Sequence, residues 1–398
     1  MTTIDIHGLA AGGDGVGKDA EGRTTFVART APGDRATVTI TEAHPRWARG
    51  ELVELAAAST VRVEPPCPLF SARVCGGCDW QHVSDAAQRD AKHAIVAAAL
   101  RKMISAGLEL APLIAPEAGY GWRRRARWTI ANGAIGYHGP RSHTVCDVVV
   151  CPQLEPALEP VLAALRAHPR LLASDGELHA VVGVGGAVHV VIDARCRVDL
   201  AAGLVGQAGI VGVAWKGGAA GAATIELEPG VQVRADEFAQ AGARGNTALR
   251  AEVAAAIAVA AGERVLELYA GGGNFTRDLL AAGATVTASD LHAPRSSAAP
   301  GARFVPGQAG EVVARAVASG QRFDAILLDP PRTGARDVVG HLAATGAGRI
   351  VYVSCDPATF ARDADVLVGA GFAPRWARGL DLMPQTAHVE LVARFDRG

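Results

Sequence analysis

Apolar and polar positions follow two different periods along this chain, and the changes of period divide it into three stretches. Over residues 1–60 the apolar positions come in short runs of period two, at residues 4–6, 24–27, 35–40 and 50–55, separated by Gly12-Gly13-Asp14-Gly15 and Ala31-Pro32-Gly33-Asp34. Alternation lines one face of a strand, and such tetrads turn the chain, so a small barrel of four or five strands is expected. In residues 61–235, Ala91, Ile95, Ala98, Ala99 and Met103 recur at helical spacing after Ser84, which predicts a one-faced helix. Residues 122–130 return to period two, with Arg123, Arg125, Arg127 and Thr129 on one face and Ala126, Trp128 and Ile130 on the other. Strand patterns at 180–184, 188–193, 211–215 and 224–227 make the rest of this stretch β-rich. From residue 236 the two periods alternate: a helix at 249–261, then strands at 264–268, 285–288, 323–328 and 350–354, and a last strand pattern at 388–392. That order predicts a Rossmann-like α/β fold with a mixed, mostly parallel sheet.

Open parallel sheets bind ligands beyond the carboxyl ends of their strands, so the residues that end each apolar run are the candidates for chemistry. The run at 350–354 ends in Cys355-Asp356-Pro357, and the run at 323–328 ends in Asp329-Pro330-Pro331-Arg332. A cysteine in a strand is usually small apolar filler. Cys355 instead follows the run, with Glu390 in the last strand pattern, a pairing that suggests nucleophile and base. The strand at 264–268 enters Tyr269-Ala270-Gly271-Gly272-Gly273-Asn274, and the next strand closes on Asp290. Strand, glycine turn, helix and a downstream acid form a nucleotide site, the acid taking ribose hydroxyls. Thr276 stands where a dinucleotide fingerprint needs its third glycine, which disfavours NAD.

Composition narrows the classes. The 398 residues are 49% hydrophobic, with 39 basic and 40 acidic side chains and a net charge of -1, so any RNA contact must come from a local patch. The arginine face of residues 123–127 is that patch, since forked guanidinium donors suit phosphate. No start of secretory type and no run of about 18 apolar residues occurs, so a soluble cytoplasmic monomer without a membrane partner is expected. Cysteines of such a protein stay reduced, and Cys67, Cys75 and Cys78, with Cys151 as a distant fourth, read as a metal site that zinc or an iron–sulfur cluster would fit. Cys146 and Cys196 read as structural.

Ser354-Cys355-Asp356-Pro357, Asp329-Pro330-Pro331-Arg332 and Pro384-Gln385-Thr386-Ala387-His388-Val389-Glu390 together resemble the RNA (uracil-5-)-methyltransferase family, and residues 1–60 resemble the TRAM variety of the OB fold. The resemblance implies three domains: a TRAM-like RNA-binding barrel at 1–60, a central iron–sulfur and RNA-contacting domain at 61–235, and a catalytic domain at 236–398, with the helix at 84–106 packed on the last. It implies S-adenosylmethionine as cofactor, held by Gln240, Tyr269, Asn274, Asp290, Gln308 and Asp329. It implies a [4Fe-4S] cluster on Cys67, Cys75, Cys78 and Cys151, although the gap between Cys67 and Cys75 is longer than the family's. Asp290, Gln308, Ala270 and Gly242 also depart from the family pattern. In the implied reaction Cys355 adds to carbon 6 of a uridine in ribosomal or transfer RNA, and Glu390 removes the proton from carbon 5 after methylation. Cys355 should then be activated by its surroundings, with Arg332 stabilising the anionic base. The rivals are an amino-group RNA methyltransferase using Asp-Pro-Pro-Arg, and a non-catalytic RNA-binding protein.

Overall fold

The computed structural model describes residues 1–398 except 169, 170, 173 and 293–298. Among the described residues the strands form a closed barrel, a seven-stranded sheet, a two-stranded ribbon and an eight-stranded sheet. The barrel runs Thr2–Leu9, Gly15–Lys18, Thr24–Val27, Trp47–Ala57, Arg35–Ala43 in spatial order. Ile4, Ile6, Val27, Ala36 and Val38 fill it. Gly50 is required there, because a Cβ would collide with the Val38 side chain. Its turn at Gly13 is fastened to the rest of the chain, since Trp80 Nε1 donates to Gly13 O at 2.9 Å.

The seven-stranded sheet has Arg125–Ala131 between Gly176–Val182 and Ala134–His138, with Val145–Asp147 at one edge. Its apolar face, led by Trp128, Leu178 and Val190, packs on the helix Leu158–Arg166 through Leu158, Val161, Leu162 and Leu165. Burial alternates along Arg125–Ala131 as period two demands. Arg123 lies before this strand, not within it, and makes isolated bridges to Leu154 and Gly242.

The eight-stranded sheet runs Arg303–Pro306, Thr285–Asp290, Arg264–Leu268, Ala325–Leu328, Arg349–Ser354, Glu390–Arg397, Phe372–Leu380, Glu109–Ile114. The first five are parallel, and Glu390–Arg397 inserts antiparallel to both neighbours. The order reverses between Arg264–Leu268 and Ala325–Leu328, the switch point where such sheets open a crevice. Glu109–Ile114, early in the chain, completes the far edge beside Phe372–Leu380. Ahead of it the helix Asp85–Ala99, its cap Leu100 and the short helix Arg101–Ser105 join the same core, Val96, Leu100 and Met103 packing with Leu266, Leu328, Tyr352 and Phe395.

Among the boundaries that differ from expectation, the helix at 84–106 is two helices, Asp85–Ala99 and Arg101–Ser105, and two others lie near the site. The alanine-rich helix spans Ala243–Ile257 rather than 249–261. Alanine would allow it to continue, but the chain must turn back into the strand at Arg264, and Ala258 ends the helix in the left-handed conformation at φ 44. The final strand begins at Glu390, not at 388, because His388 and Val389 belong to the loop that delivers it.

Candidate active site

Strand register brings the chemistry together. Leu268 pairs with Leu328, Leu328 with Tyr352, and Ser354 with Leu391. Asp329, Cys355 and Glu390 therefore stand on three adjacent strand ends at the crevice. The backbone around Cys355 is pinned from both sides. Asp356 N donates to Ser354 Oγ at 3.2 Å, and the Asp356 carboxylate caps the helix Pro357–Gly369 by accepting from Ala358 N and Thr359 N, each at 2.9 Å. A capping aspartate and a proline in the first turn both favour a helix start there, so the thiol is held between a strand end and a helix cap.

The electrostatics of this cluster overturn one expectation. Burial pushes the Cys355 thiol up to about 11, Glu390 and Asp329 add repulsion, and Arg332 opposes them. The surroundings of the protein alone therefore suppress the thiolate rather than activate it, because desolvation and two carboxyls outweigh one guanidinium. Burial likewise holds the Glu390 carboxyl well above the usual carboxylate range, with Asp329 adding to the shift and Arg332 reducing it. Burial raises Asp329 to about 7. Arg332 lies within 3.3 Å of His388 Nε2.

The cofactor candidates surround the glycine turn at the switch point. Tyr269, Gly271 and Gly273 all take positive φ, at 62, 52 and 78. For Tyr269 this is a sparsely populated conformation that the surrounding packing must hold. A Cβ on Gly271 would meet nothing within 4 Å, so the turn borders open space. Gly271 N donates to Asp290 Oδ2 at 2.9 Å, which ties the acid to the turn. Gln308 lies at the N-cap of the helix Ala309–Ala318, two residues beyond the strand end at Pro306. Asn274 exchanges amide hydrogen bonds of 2.9 and 3.0 Å with Asn246, so it braces the turn against the helix Ala243–Ile257. Arg124 Nε donates to Gln240 O at 3.2 Å and fixes that backbone. An acid at a strand end, a glycine turn bordering open space and Asp329 across the crevice fit S-adenosylmethionine, which carries no phosphate and needs no closely approached pyrophosphate cradle.

The arginine face is more engaged than a free phosphate-binding stripe. Arg127 forms a forked pair with Glu177, at 2.8 and 2.6 Å. Arg125 donates to Ala239 O at 3.0 Å, its guanidinium 5.9 Å from the Phe238 ring centroid. Arg123 Nε donates to Arg125 O at 3.1 Å.

The cysteines of the central stretch converge. Burial pushes Cys78 up to about 12, with Cys151 and Cys67 among the groups that add to it. Burial does the same for Cys75, with Cys146 and Cys78 acting on it. Cys146 therefore stands beside Cys75, which its reading as a merely structural cysteine did not foresee. Hydrogen-bond donors face the sulfurs, Gly77 N donating to Cys75 Sγ at 3.4 Å and the Gln81 side chain reaching Cys78. Among the described residues no three ligand side chains are close enough to hold a single metal ion. One zinc would draw its sulfurs to about 3.8 Å of one another, given Zn–S bonds near 2.3 Å. The arrangement does not fit that cage.

Several residues of the site escaped the sequence reading. Glu267, one residue from its strand end, is 1% exposed, accepts from Thr276 Oγ1 at 2.5 Å and is raised by burial to about 8. An acid inside the run Val265-Leu266-Glu267-Leu268 was the available signal. Arg124 is buried on the apolar face and pairs with Glu228 at 2.8 Å. Gln88, Lys92 and Gln385 belong to stretches that the resemblance singles out, but their partners were not foreseen: Lys92 meets Asp381 at 2.5 Å, both buried, and Gln88 and Gln385 exchange hydrogen bonds of 2.9 Å. Ala387 N donates to Asp79 Oδ2 at 3.0 Å. These contacts clamp the loop before Glu390 to the cysteine region.

Comparison with known proteins agrees with this architecture. A family description, TRAM domain, matches residues 2–53. The 23S rRNA (uracil(1939)-C(5))-methyltransferase RlmD of Halomonas elongata is 35% identical over 97% of this chain and 87% of its own length. Its namesake from Pseudomonas entomophila is 34% identical over 99% and 93%. Among solved structures, the tRNA (uracil-54, C5)-methyltransferase of Pyrococcus abyssi, crystallised with S-adenosyl-L-homocysteine, covers 99% of both chains with a TM-score of 0.75. At 23% identity it shows a shared fold. The chain whose strand ends gather Cys355, Glu390 and Asp329 beside a glycine turn thus belongs to the RNA (uracil-C5)-methyltransferases, enzymes dependent on S-adenosylmethionine.

Proposed function

We propose that the chain methylates carbon 5 of a uridine in 23S ribosomal RNA through a covalent bond between Cys355 and carbon 6, resolved by Glu390. The relatives named for uracil 1939 of that RNA match over nearly their whole length, which supports the substrate. The observation that carries the chemistry is the meeting of a thiol and two buried carboxyls on adjacent strand ends beside Arg332. An amino-group methyltransferase would leave that thiol without a task.

Carbon 5 of uracil is a poor nucleophile. Bonding the Cys355 sulfur to carbon 6 pushes the ring electrons into an enolate, whose oxygen Arg332 stabilises and whose carbon 5 can attack. S-adenosylmethionine supplies the methyl group on a positively charged sulfur, and that charge disappears on transfer. A positive charge beside Asp329 favours the ionised forms of Asp329, Glu390 and Cys355 together, so the thiolate forms when the site is loaded. Once the charge is gone, Glu390 regains its affinity for a proton at the step where it must take one from carbon 5. The Cys355–carbon 6 bond then breaks and the thiolate returns.

Cys67, Cys75, Cys78 and Cys151 are read as the ligands of a [4Fe-4S] cluster with a structural role. The donors directed at Cys75, Cys78 and Cys151 and the clamp from Gln88 and Lys92 to the loop before Glu390 support this. The test of the mechanism is a 23S rRNA fragment carrying 5-fluorouridine, incubated with enzyme and S-adenosylmethionine. Fluorine cannot leave as a proton, so the RNA should remain bonded to Cys355 on a denaturing gel. Methylation of unmodified RNA with no trapped complex would overturn the scheme.

A further inference from the structure

We infer that His388 is a positioning residue for the proposed reaction, holding the Arg332 guanidinium in place for the anion that develops on the uracil ring; the inference rests on the covalent scheme above. Arg332 Nη2 lies 3.3 Å from His388 Nε2. A guanidinium has donors and no acceptor, so Nε2 carries no proton and accepts from Arg332. Among the described residues the guanidinium makes this hydrogen bond and no other. Burial favours the neutral imidazole, with Arg332, Lys92 and Arg123 adding to the effect and Asp79 opposing it. An uncharged acceptor suits the task. A carboxylate would hold the arginine as well but would neutralise it, as Glu177 does for Arg127. His388 fixes the direction of the guanidinium and leaves its whole charge for the enolate oxygen. Donors fixed in advance, where charge will develop, are the ones that lower a barrier.

Both partners have fixed backbones. The helix Pro357–Gly369, which starts beside Cys355, holds the chain around Arg332 through three side chains. Thr359 Oγ1 donates to Arg332 O at 3.1 Å, Arg362 Nη2 donates to Thr333 O at 2.9 Å, and Asp363 Oδ2 accepts from Ala335 N at 2.6 Å. Between them Gly334 has φ 79, and a Cβ there would collide with Arg362 and Asp363. These contacts set where the Arg332 side chain begins. They leave its guanidinium, at the end of a long exposed side chain, to be directed by something else. His388 meets it from the loop that delivers Glu390. Ala387 N donates to Asp79 Oδ2 at 3.0 Å and His388 N to Thr386 Oγ1 at 3.3 Å, while the Thr386 hydroxyl donates to Met383 O at 2.7 Å. The clamp on that loop therefore fixes the start of the imidazole as well as that of the base.

The experiment uses the full chain with the 5-fluorouridine RNA fragment and S-adenosylmethionine, and reads the rate at which the covalent complex forms in a single turnover. His388→Leu should slow trapping by about 10- to 100-fold, the scale expected when a group at the reacting centre is misplaced by about 1 Å. Its RNA binding, cofactor binding and thermal unfolding should stay near wild type. His388→Gln, whose amide oxygen can accept from Arg332, should recover most of the rate. Arg332→Ala should also be slow, by about 10²- to 10³-fold, and adding His388→Leu to it should cost nothing more, because the two side chains act through one interaction. Trapping at the wild-type rate in His388→Leu, a Gln variant no faster than the Leu variant, or a full Leu effect in the Arg332→Ala background would each overturn the role of His388 while the covalent scheme stands. Wild type that methylates unmodified RNA and traps no complex would overturn the scheme itself. Should His388→Leu fail to fold, His388→Phe keeps a ring in the same place and serves the same comparison.

Discussion

Burial raises the thiols of both sites, Cys355 to about 11 and Cys75 and Cys78 to about 12, but their neighbours differ. Around Cys355 the added repulsion comes from Glu390 and Asp329, groups that themselves exchange protons, and Arg332 opposes it. Around Cys75 and Cys78 much of it comes from other thiols, opposed by donors from Gly77 and Gln81. A single passing positive charge can relieve the first arrangement and leave again. The second stays relieved while its thiols are protonated, and the proposed cluster would supply a shared cation in place of those protons. The same physical cost therefore falls on the proposed nucleophile in one place and on the proposed ligand set in the other.

The widest separation between the two sites should appear on removing one sulfur from each. Cys355→Ala should reduce methyl transfer below detection, measured with methyl-labelled cofactor, while RNA binding and thermal unfolding stay near wild type. A variant that still methylates would transfer the reaction to a mechanism without a covalent adduct. Glu390→Gln should sharpen the picture, because addition and methylation do not need the base. Turnover should fall by roughly 10² to 10⁴, or about 3 to 5 kcal/mol, and label should accumulate in a slow band on a denaturing gel. Free turnover of that variant would remove Glu390 from the role of base.

The clamp between the two regions can be broken without touching any sulfur. Lys92→Met leaves Asp381 buried and unpaired, and loss of one partner of such a pair costs about 3 to 5 kcal/mol. Denaturant unfolding should register that loss. Stability within about 1 kcal/mol of wild type would mean that the pair is no more than a surface contact.

Ionisation at Cys355 offers a smaller, graded effect. With the thiol raised to about 11, only the thiolate reacts, and its fraction grows about tenfold per pH unit below that value. Iodoacetamide labelling of Cys355 in cofactor-free protein should rise accordingly from pH 7 to 9. A cationic cofactor analogue, if small enough to leave the thiol accessible, should raise the rate at pH 7. S-adenosylhomocysteine, lacking the sulfonium charge, should not. Equal rates with both ligands would show that charge does not govern the thiol.

What the sequence disclosed and what it hid follow from distance along the chain. Cys355 and Asp329 were legible because an apolar run ending in a reactive residue is a local pattern, and the glycine turn with Asp290 is nearly so. Glu390 needed the strand order, yet its own strand pattern marked it. Arg124 was passed over because alternation sends it to the apolar face, and its partner Glu228 lies 104 residues away. Lys92 and Asp381 are 289 residues apart, and neither residue alone signals a buried pair. Cys146 is near Cys75 only through hairpin register. The activation of Cys355 was misjudged for a related reason: a sequence shows that Arg332 is near, not that burial and two carboxyls outweigh it.

The smallest effect concerns the arginine face, where the sequence reading expects each lost phosphate contact to lower the log-log salt slope of RNA binding by about 0.7 to 0.9. The pairing of Arg127 with Glu177 changes that expectation. A guanidinium already neutralised by a carboxylate gains little from a phosphate unless it gives up its partner, and an exposed pair of this kind is worth about 0 to 1 kcal/mol. Arg127→Ala should therefore shift the slope by less than one full contact. Glu177→Gln releases the arginine and should steepen the slope by about 0.7 to 0.9. Measuring both across a salt titration separates the cases. A full-contact loss in Arg127→Ala, with no change in Glu177→Gln, would mean that RNA displaces Glu177 on binding and that the face engages phosphate as the bare sequence suggests. No change in either variant would make Arg127 a solvated sheet residue, leaving the phosphate contacts to other parts of the chain.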